Sequence, residues 1–177
     1  MKQWVTVLVI FYTGLLSGQN NFFFKIDTLK PKGWPAIHSF SYGSWDEKVY
    51  LIGGRKDGIH EKKSGFGRKE NNRFLYIWDP VANTLDSLDL GFIPDTLGDP
   101  LSAAGTSFVQ KGQYLIIAGG YGENSALEFV TYPSLTVLDL SLLADPAAWT
   151  EPGQAVVRQI IHHRFAVAGG QLGVIDE

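Results

Sequence analysis

Seven basic residues, Arg55, Lys56, Lys62, Lys63, Arg68, Lys69 and Arg73, fall within nineteen positions against Asp57, Glu61 and Glu70, a local net charge of +4. The whole chain carries a formal charge of −3, so the remainder is strongly acidic. A positive loop on an acidic body can hold an anionic glycan or a phosphate group, and it can equally be a solvated insertion without a ligand. The four histidines do not make a metal site. His162 and His163 are neighbours, and on a strand they point to opposite faces; His38 and His60 have no Asp or Glu at ligand spacing. Gly119-Gly-Tyr-Gly122 and Gly65-Phe-Gly67 complete neither a dinucleotide fingerprint nor a phosphate loop, and no Ser sits in a G-x-S-x-G elbow. No cofactor is expected. With no Cys, thiolate metal sites, Cys nucleophiles and disulfide scaffolds are excluded. The negative net charge argues against a nucleic-acid partner.

The elements that must position these residues are strands. Twenty Gly, eight Pro, eleven Phe, seven Tyr and five Trp in 177 residues, against one Met, is a β-rich and turn-rich composition with room for about one domain. Aromatic residues at strand spacing are core packing first and sugar-stacking platforms second. Two segments read alike, Lys48-Val-Tyr-Leu-Ile-Gly-Gly54 and Gln113-Tyr-Leu-Ile-Ile-Ala-Gly-Gly120, with their Gly-Gly doublets 66 residues apart. Each follows a small or apolar run, Ile37–Gly43 and Leu101–Val109, across a polar turn, which predicts two hairpins. Arg73–Pro80 reads as a third strand stopped by Asp79-Pro80, and Thr84–Leu90 as a half-exposed fourth. In the second unit the matching strands are expected over Thr131–Leu140 and Ala147–Pro152, and a third unit is expected to open with Arg158–Glu177.

At the N-terminus, Lys2 precedes the uncharged run Trp4–Leu16 and the small residues Ser17 and Gly18, the layout of an export signal cleaved near Gln19. The run is shorter than the ~20 residues a bilayer span needs, so no stable membrane span is expected after cleavage. The expected compartment is periplasmic, cell-surface or secreted.

Gly53-Gly54, Tyr76 with Asp79-Pro80, Gly119-Gly120 and Trp149 together resemble the kelch repeat, and the segments around them are similar to those of a group of exported bacterial kelch-repeat proteins. The resemblance covers about residues 34 to 177. It implies an all-β, kelch-like β-propeller, incomplete here, with two four-stranded antiparallel blades and the first strand of a third. The units exceed the usual ~50 residues, and the first lacks the expected Trp near Asp86-Ser87. The expected layout is a signal peptide over 1–19, an N-terminal outer strand and linker over 20–33, blade one over 34–96, blade two over 97–155 and the start of blade three over 156–177. A closed ring would need further blades, from the same full-length chain or from another.

The expected function is a binding or interaction module for a protein or an anionic glycan. The alternative is an exported carbohydrate-active enzyme, similar to a sugar mutarotase, with catalytic residues partly in further blades. Loops entering the first strands and leaving the second strands share one rim, because successive strands alternate direction. His38, Arg55, Arg68, Tyr121 and His162 lie on or beside these loops and are the candidate ligand contacts.

Overall fold

A computed structural model describes residues 25–26, 31–58, 67–149 and 156–175. The expected leader, most of the expected outer strand at 22–28, and His60, Lys62 and Lys63 lie outside the described residues. The described chain is all-β apart from one short helix and several 3-10 turns.

The first sheet is a meander of β1 (Ser41–Trp45), β2 (Lys48–Ile52), β3 (Phe74–Asp79) and β4 (Thr84–Asp89), each strand antiparallel to the next. Asp46 and Glu47 close the first hairpin with φ of 50° and 61°, the positive values that match a two-residue turn to strand twist. The third strand ends at Asp79, before Pro80, as the missing N–H requires, and the Asp79 carboxylate accepts from the N–H groups of Val81 and Ala82 at 2.9 and 2.8 Å.

Helix α1 (Asp95–Leu101) leads into the second sheet, which comprises β5 (Ser107–Lys111), β6 (Tyr114–Ala118), β9 (Ser134–Asp139) and β10 (Val157–Ile161), hydrogen-bonded in that order. A separate hairpin, β7 (Tyr121–Glu123) with β8 (Phe129–Thr131), fills the connection between β6 and β9. Neither four-stranded sheet closes on itself.

The two sheets pack through one face of each. Tyr50, Ile52 and Leu75 of the first meet Leu115, Ile117 and Leu138 of the second in one buried cluster. Period-two alternation places these residues on the same side of their strands. Gly43 of β1 lies so close to the second sheet that a Cβ there would stand 3.0 Å from the Leu140 side chain.

Three strand assignments change. Leu101 ends α1 instead of opening a strand, and β5 starts at Ser107. Ala147–Trp149 is no strand: it lies in a 3-10 turn over Pro146–Trp149, with the buried Trp149 indole donating to the Leu143 carbonyl at 3.2 Å and joining the core. The fourth strand of the second sheet is β10, pairing with β9 over five positions from Val157↔Leu138 to Ile161↔Ser134. The strand expected to open a third unit therefore completes the second. In the first unit a four-residue turn joins strands three and four; in the second the chain runs from Leu140 to Val156 between them and adds Leu140, Leu143 and Trp149 to the core.

Candidate functional site

Both Gly-Gly doublets do the same work. Gly54 donates its N–H to the Ala103 carbonyl at 3.0 Å, and Gly120 donates to Val167 at 2.8 Å. Each doublet thus receives the segment that begins the following unit. Gly119 has φ of +66°, and a Cβ there would sit on the Val167 carbonyl oxygen, so only Gly fits.

The entering segments are equivalent as well. His38 and Arg55 exchange backbone hydrogen bonds at 3.0 Å each, and Ala104 and Tyr121, 66 residues further on, exchange them at 3.1 and 2.9 Å. The following residue is left-handed in each unit, with φ of 56° at Ser39, 63° at Gly105 and 70° at Gly169. These residues are hydrogen-bonded in series: Gly105 donates to the Ser39 carbonyl at 3.2 Å, and Gly169 to the Gly105 carbonyl at 2.7 Å.

An open pocket of about 650 Å³ lies over this series. It is lined by the equivalent pairs His38-Ser39, Ala104-Gly105 and Ala168-Gly169, together with Arg55 and Tyr121. Where the two later units use Ala-Gly for the backbone role, the first uses His-Ser. The repeated units act as an internal control: the fold at these positions asks only for Ala and Gly, and Ser39 even bears a backbone conformation that costs a side-chain-bearing residue ~1 kcal/mol or more.

The polar groups of the first unit form a connected set. Arg55 is 2% exposed, and its guanidinium donates to both oxygens of Asp57, at 2.8 Å from Nε and 2.6 Å from Nη2, while Nη1 lies 3.5 Å from the Asn71 carbonyl oxygen. The His38 ring lies between Ser39 Oγ, 3.0 Å from Nδ1, and Asp57 Oδ1, 3.7 Å from Nε2. This sequence of Ser, His and Asp is not a nucleophilic triad. Asp57 is already engaged by Arg55 on both oxygens, and 3.7 Å is too long for the hydrogen bond that would hold the imidazole as a base. What the set offers at the pocket wall is the Ser39 hydroxyl, bonded to His38 Nδ1, while His38 Nε2 is buried without a hydrogen-bond partner among the described residues; Tyr121 lines the same pocket, its ring stacked on Phe129 at 6.3 Å.

Arg68 is placed elsewhere. Its guanidinium bonds Asp95 at 2.6 Å and Asp99 at 2.9 Å, and its backbone N–H donates to Glu123 at 2.7 Å, tying the first unit's long loop to α1 and to β7. Burial opposes its charge, but the bonds and attraction to Asp99 and Asp95 outweigh that and raise its pKa. Arg73 Nη1 joins the same carboxylates at 3.2 and 3.3 Å. Two of the arginines in the basic loop therefore serve as a clamp between units. Lys56 and Lys69 remain on a neighbouring cleft of about 420 Å³ that also includes Asn71 and Arg73.

His162 is exposed at the end of β10 and does not line the 650 Å³ pocket. Its ring lies tilted by 35° against that of His163, with centroids 4.2 Å apart, where β10 gives way to a 3-10 turn, so the strand rule of opposite faces does not apply to this pair. Three candidates, His38, Arg55 and Tyr121, come together; Arg68 and His162 do not join them. Sequence reasoning missed Ser39 and Asp57. Aligning His38-Ser39 with Ala104-Gly105 would have exposed the first, and the i, i+2 spacing of Arg55 and Asp57 on a turn the second.

Among the described residues, no group of three or more His, Asp or Glu side chains is placed to hold a metal ion. No helix among them is long and apolar enough to cross a membrane. No protein-family profile and no curated protein matches the chain.

Proposed function

We propose that this chain is part of an exported kelch-type propeller that acts as a binding module for an acidic glycan, received in the pocket at His38, Ser39 and Tyr121. The carrying observation is the replacement of the repeated Ala-Gly by His38-Ser39 at a pocket wall where the fold needs neither side chain. Tyr121 supplies a ring face against which a sugar packs, and the Ser39 hydroxyl, held by His38 Nδ1 at 3.0 Å, supplies a hydrogen bond that sets its orientation. Lys56 and Lys69, on the cleft that shares Asn71 with the Arg55 network, supply positive potential, with Glu70 3.8 Å from Lys69 and Asp89 on the same cleft. The blade reading is supported by two meanders of equal strand order, with Gly-Gly doublets that accept the next segment through the same hydrogen bond.

Binding of the full chain to an array of glycans bearing carboxylate, sulfate or phosphate groups tests the proposal. We expect retention that falls as salt rises, since exposed charges are screened over ~8–10 Å near physiological ionic strength. Tyr121→Ala should abolish it. Retention of a protein in place of any glycan would redirect the reading to a protein partner. Accelerated exchange of a bound sugar's anomers would redirect it to a mutarotase-like enzyme.

A further inference from the structure

A second cleft, of about 340 Å³, lies between the two units, bordered by α1, by the approach to β9 and by β10. Its β10 wall is Gln159 and Ile161, which share the strand face of the core residue Val157 and so look toward the first unit. This cleft is independent of the pocket at His38.

Tyr132 lines it. That residue is 5% exposed, and its hydroxyl has no hydrogen-bond partner among the described residues. The first unit again supplies the control. Asn72 stands at the equivalent place, its N–H donating to Gly54 as that of Tyr132 donates to Gly120. The Asn72 side chain is satisfied locally, giving hydrogen bonds to the Gly53 and Phe74 carbonyls and accepting one from the Phe74 N–H. A buried hydroxyl left without a partner is costly. The second unit carries that cost where the first shows that the fold has a fully bonded solution.

The charges around the cleft cancel. Asp99 is 4% exposed and saturated, with Oδ1 accepting from Arg68 and Arg73 and Oδ2 from the Ser125 N–H at 2.7 Å. Asp95 Oδ1 accepts from the same two arginines. Two carboxylates face two guanidinium groups, so a charged ligand would meet no net opposite charge. What remains is hydrogen-bonding capacity with no net charge: the Tyr132 hydroxyl, the second oxygen of the ion-paired, half-exposed Asp95, and the amide oxygen of Gln159, whose nitrogen donates to Thr136 Oγ1 at 3.1 Å. Beside these lie apolar surfaces, of which Ile161 is 61% exposed. Hydroxyl groups that both donate and accept, on a ring with an apolar C–H face, match this arrangement.

We infer that this cleft is a binding site for a neutral pyranose, with Tyr132 donating to a ring hydroxyl, Asp95 accepting from one, and Ile161 packing against the C–H face. The probes are the methyl glycosides of glucose, galactose and mannose, titrated into the full chain by calorimetry and by saturation-transfer NMR, with galacturonate and glucosamine titrated beside them into the chain carrying Tyr121→Ala, in which the pocket at His38 is disabled. At least one neutral glycoside should bind, and both charged sugars should bind more weakly. Tyr132→Phe removes only the hydroxyl, and it should raise that dissociation constant roughly threefold to tenfold while leaving the fold intact. Ile161→Ser should weaken binding as well, and His38→Ala should leave it unchanged. Failure of every neutral glycoside, equal binding of the charged sugars, an unchanged constant in Tyr132→Phe, or loss of binding in His38→Ala would each overturn the assignment. Because the acidic-glycan reading rests on a different pocket and on charged probes, either proposal can fail without the other.

Discussion

Gly105 donates its backbone N–H to the carbonyl of Ser39 at 3.2 Å, and the two residues, 66 positions apart, hold the same left-handed backbone, with φ of 63° and 56°. One position is met by the residue that suits it and the other by a residue that does not. Replacing Ser39 by Gly should leave stability within ~1 kcal/mol of the wild type, relief of strain being offset by the entropy of an added glycine. Denaturant unfolding checks this; a loss above that range would show that Ser39 is needed by the fold.

The clamp between units depends on Asp99. Its side chain is buried and carries Arg68, Arg73 and the Ser125 N–H. Asp99→Ala should cost about 3 kcal/mol or more, because two partly buried guanidinium groups lose their main partner. Asp95→Ala, at the 47% exposed end of the same network, should cost under ~1 kcal/mol. Equal losses for the two variants in equilibrium unfolding would contradict this division.

Gly119 and Gly112 share a left-handed backbone, with φ of +66° and +57°, but differ in surroundings. Around Gly112 there is open space, so Gly112→Ala should cost only the conformational term, ~1–2 kcal/mol. Gly119→Ala should cost clearly more, since the new methyl group collides with the Val167 carbonyl and breaks the approach of the next segment. Thermal unfolding of the two variants side by side gives the comparison.

Asp139 accepts from Ser141 through both its N–H and its hydroxyl, and from Gln113 Nε2 at 2.9 Å. Burial pushes its pKa up, but these bonds outweigh it and hold the carboxyl below its ordinary 3.8. A carboxyl lowered in the folded state adds stability above pH 3.8 and loses that contribution as the pH falls through the folded value. Asp139→Asn should therefore be less stable than wild type at neutral pH and converge on it in strong acid. A constant difference across the pH range would contradict the role given to this carboxylate.

Local signals made the first sheet readable. The alternation in Thr84–Asp89, the Asp79-Pro80 stop and the polar turn at Asp46-Glu47 each act within a few residues, and the strands lie close to where those signals put them. The second sheet was less legible because its fourth strand is separated from its third by a long connection. Ala147-Ala-Trp149 carries the composition of an edge strand but packs into the core as a 3-10 turn, while Val157–Ile161 pairs with β9 through contacts that no local pattern reveals. Charge counting located the basic loop but not its use. Arg68 and Arg73 meet Asp95 and Asp99, which lie more than twenty residues away in sequence, so their neutralisation depends on the tertiary fold. The grouping of His38, Arg55 and Tyr121 was legible because all three follow from the repeat and the shared rim.

The most direct measurement is the binding of an acidic glycan to the full chain carrying His38→Ala and Ser39→Gly together, which gives the first unit the Ala-Gly pair of the other two. The variant should stay within ~1 kcal/mol of the wild-type stability and lose at least tenfold in affinity, about 1.4 kcal/mol. Unchanged affinity in a folded variant, or a variant that fails to fold, would contradict the claim that these two side chains serve a ligand and not the architecture.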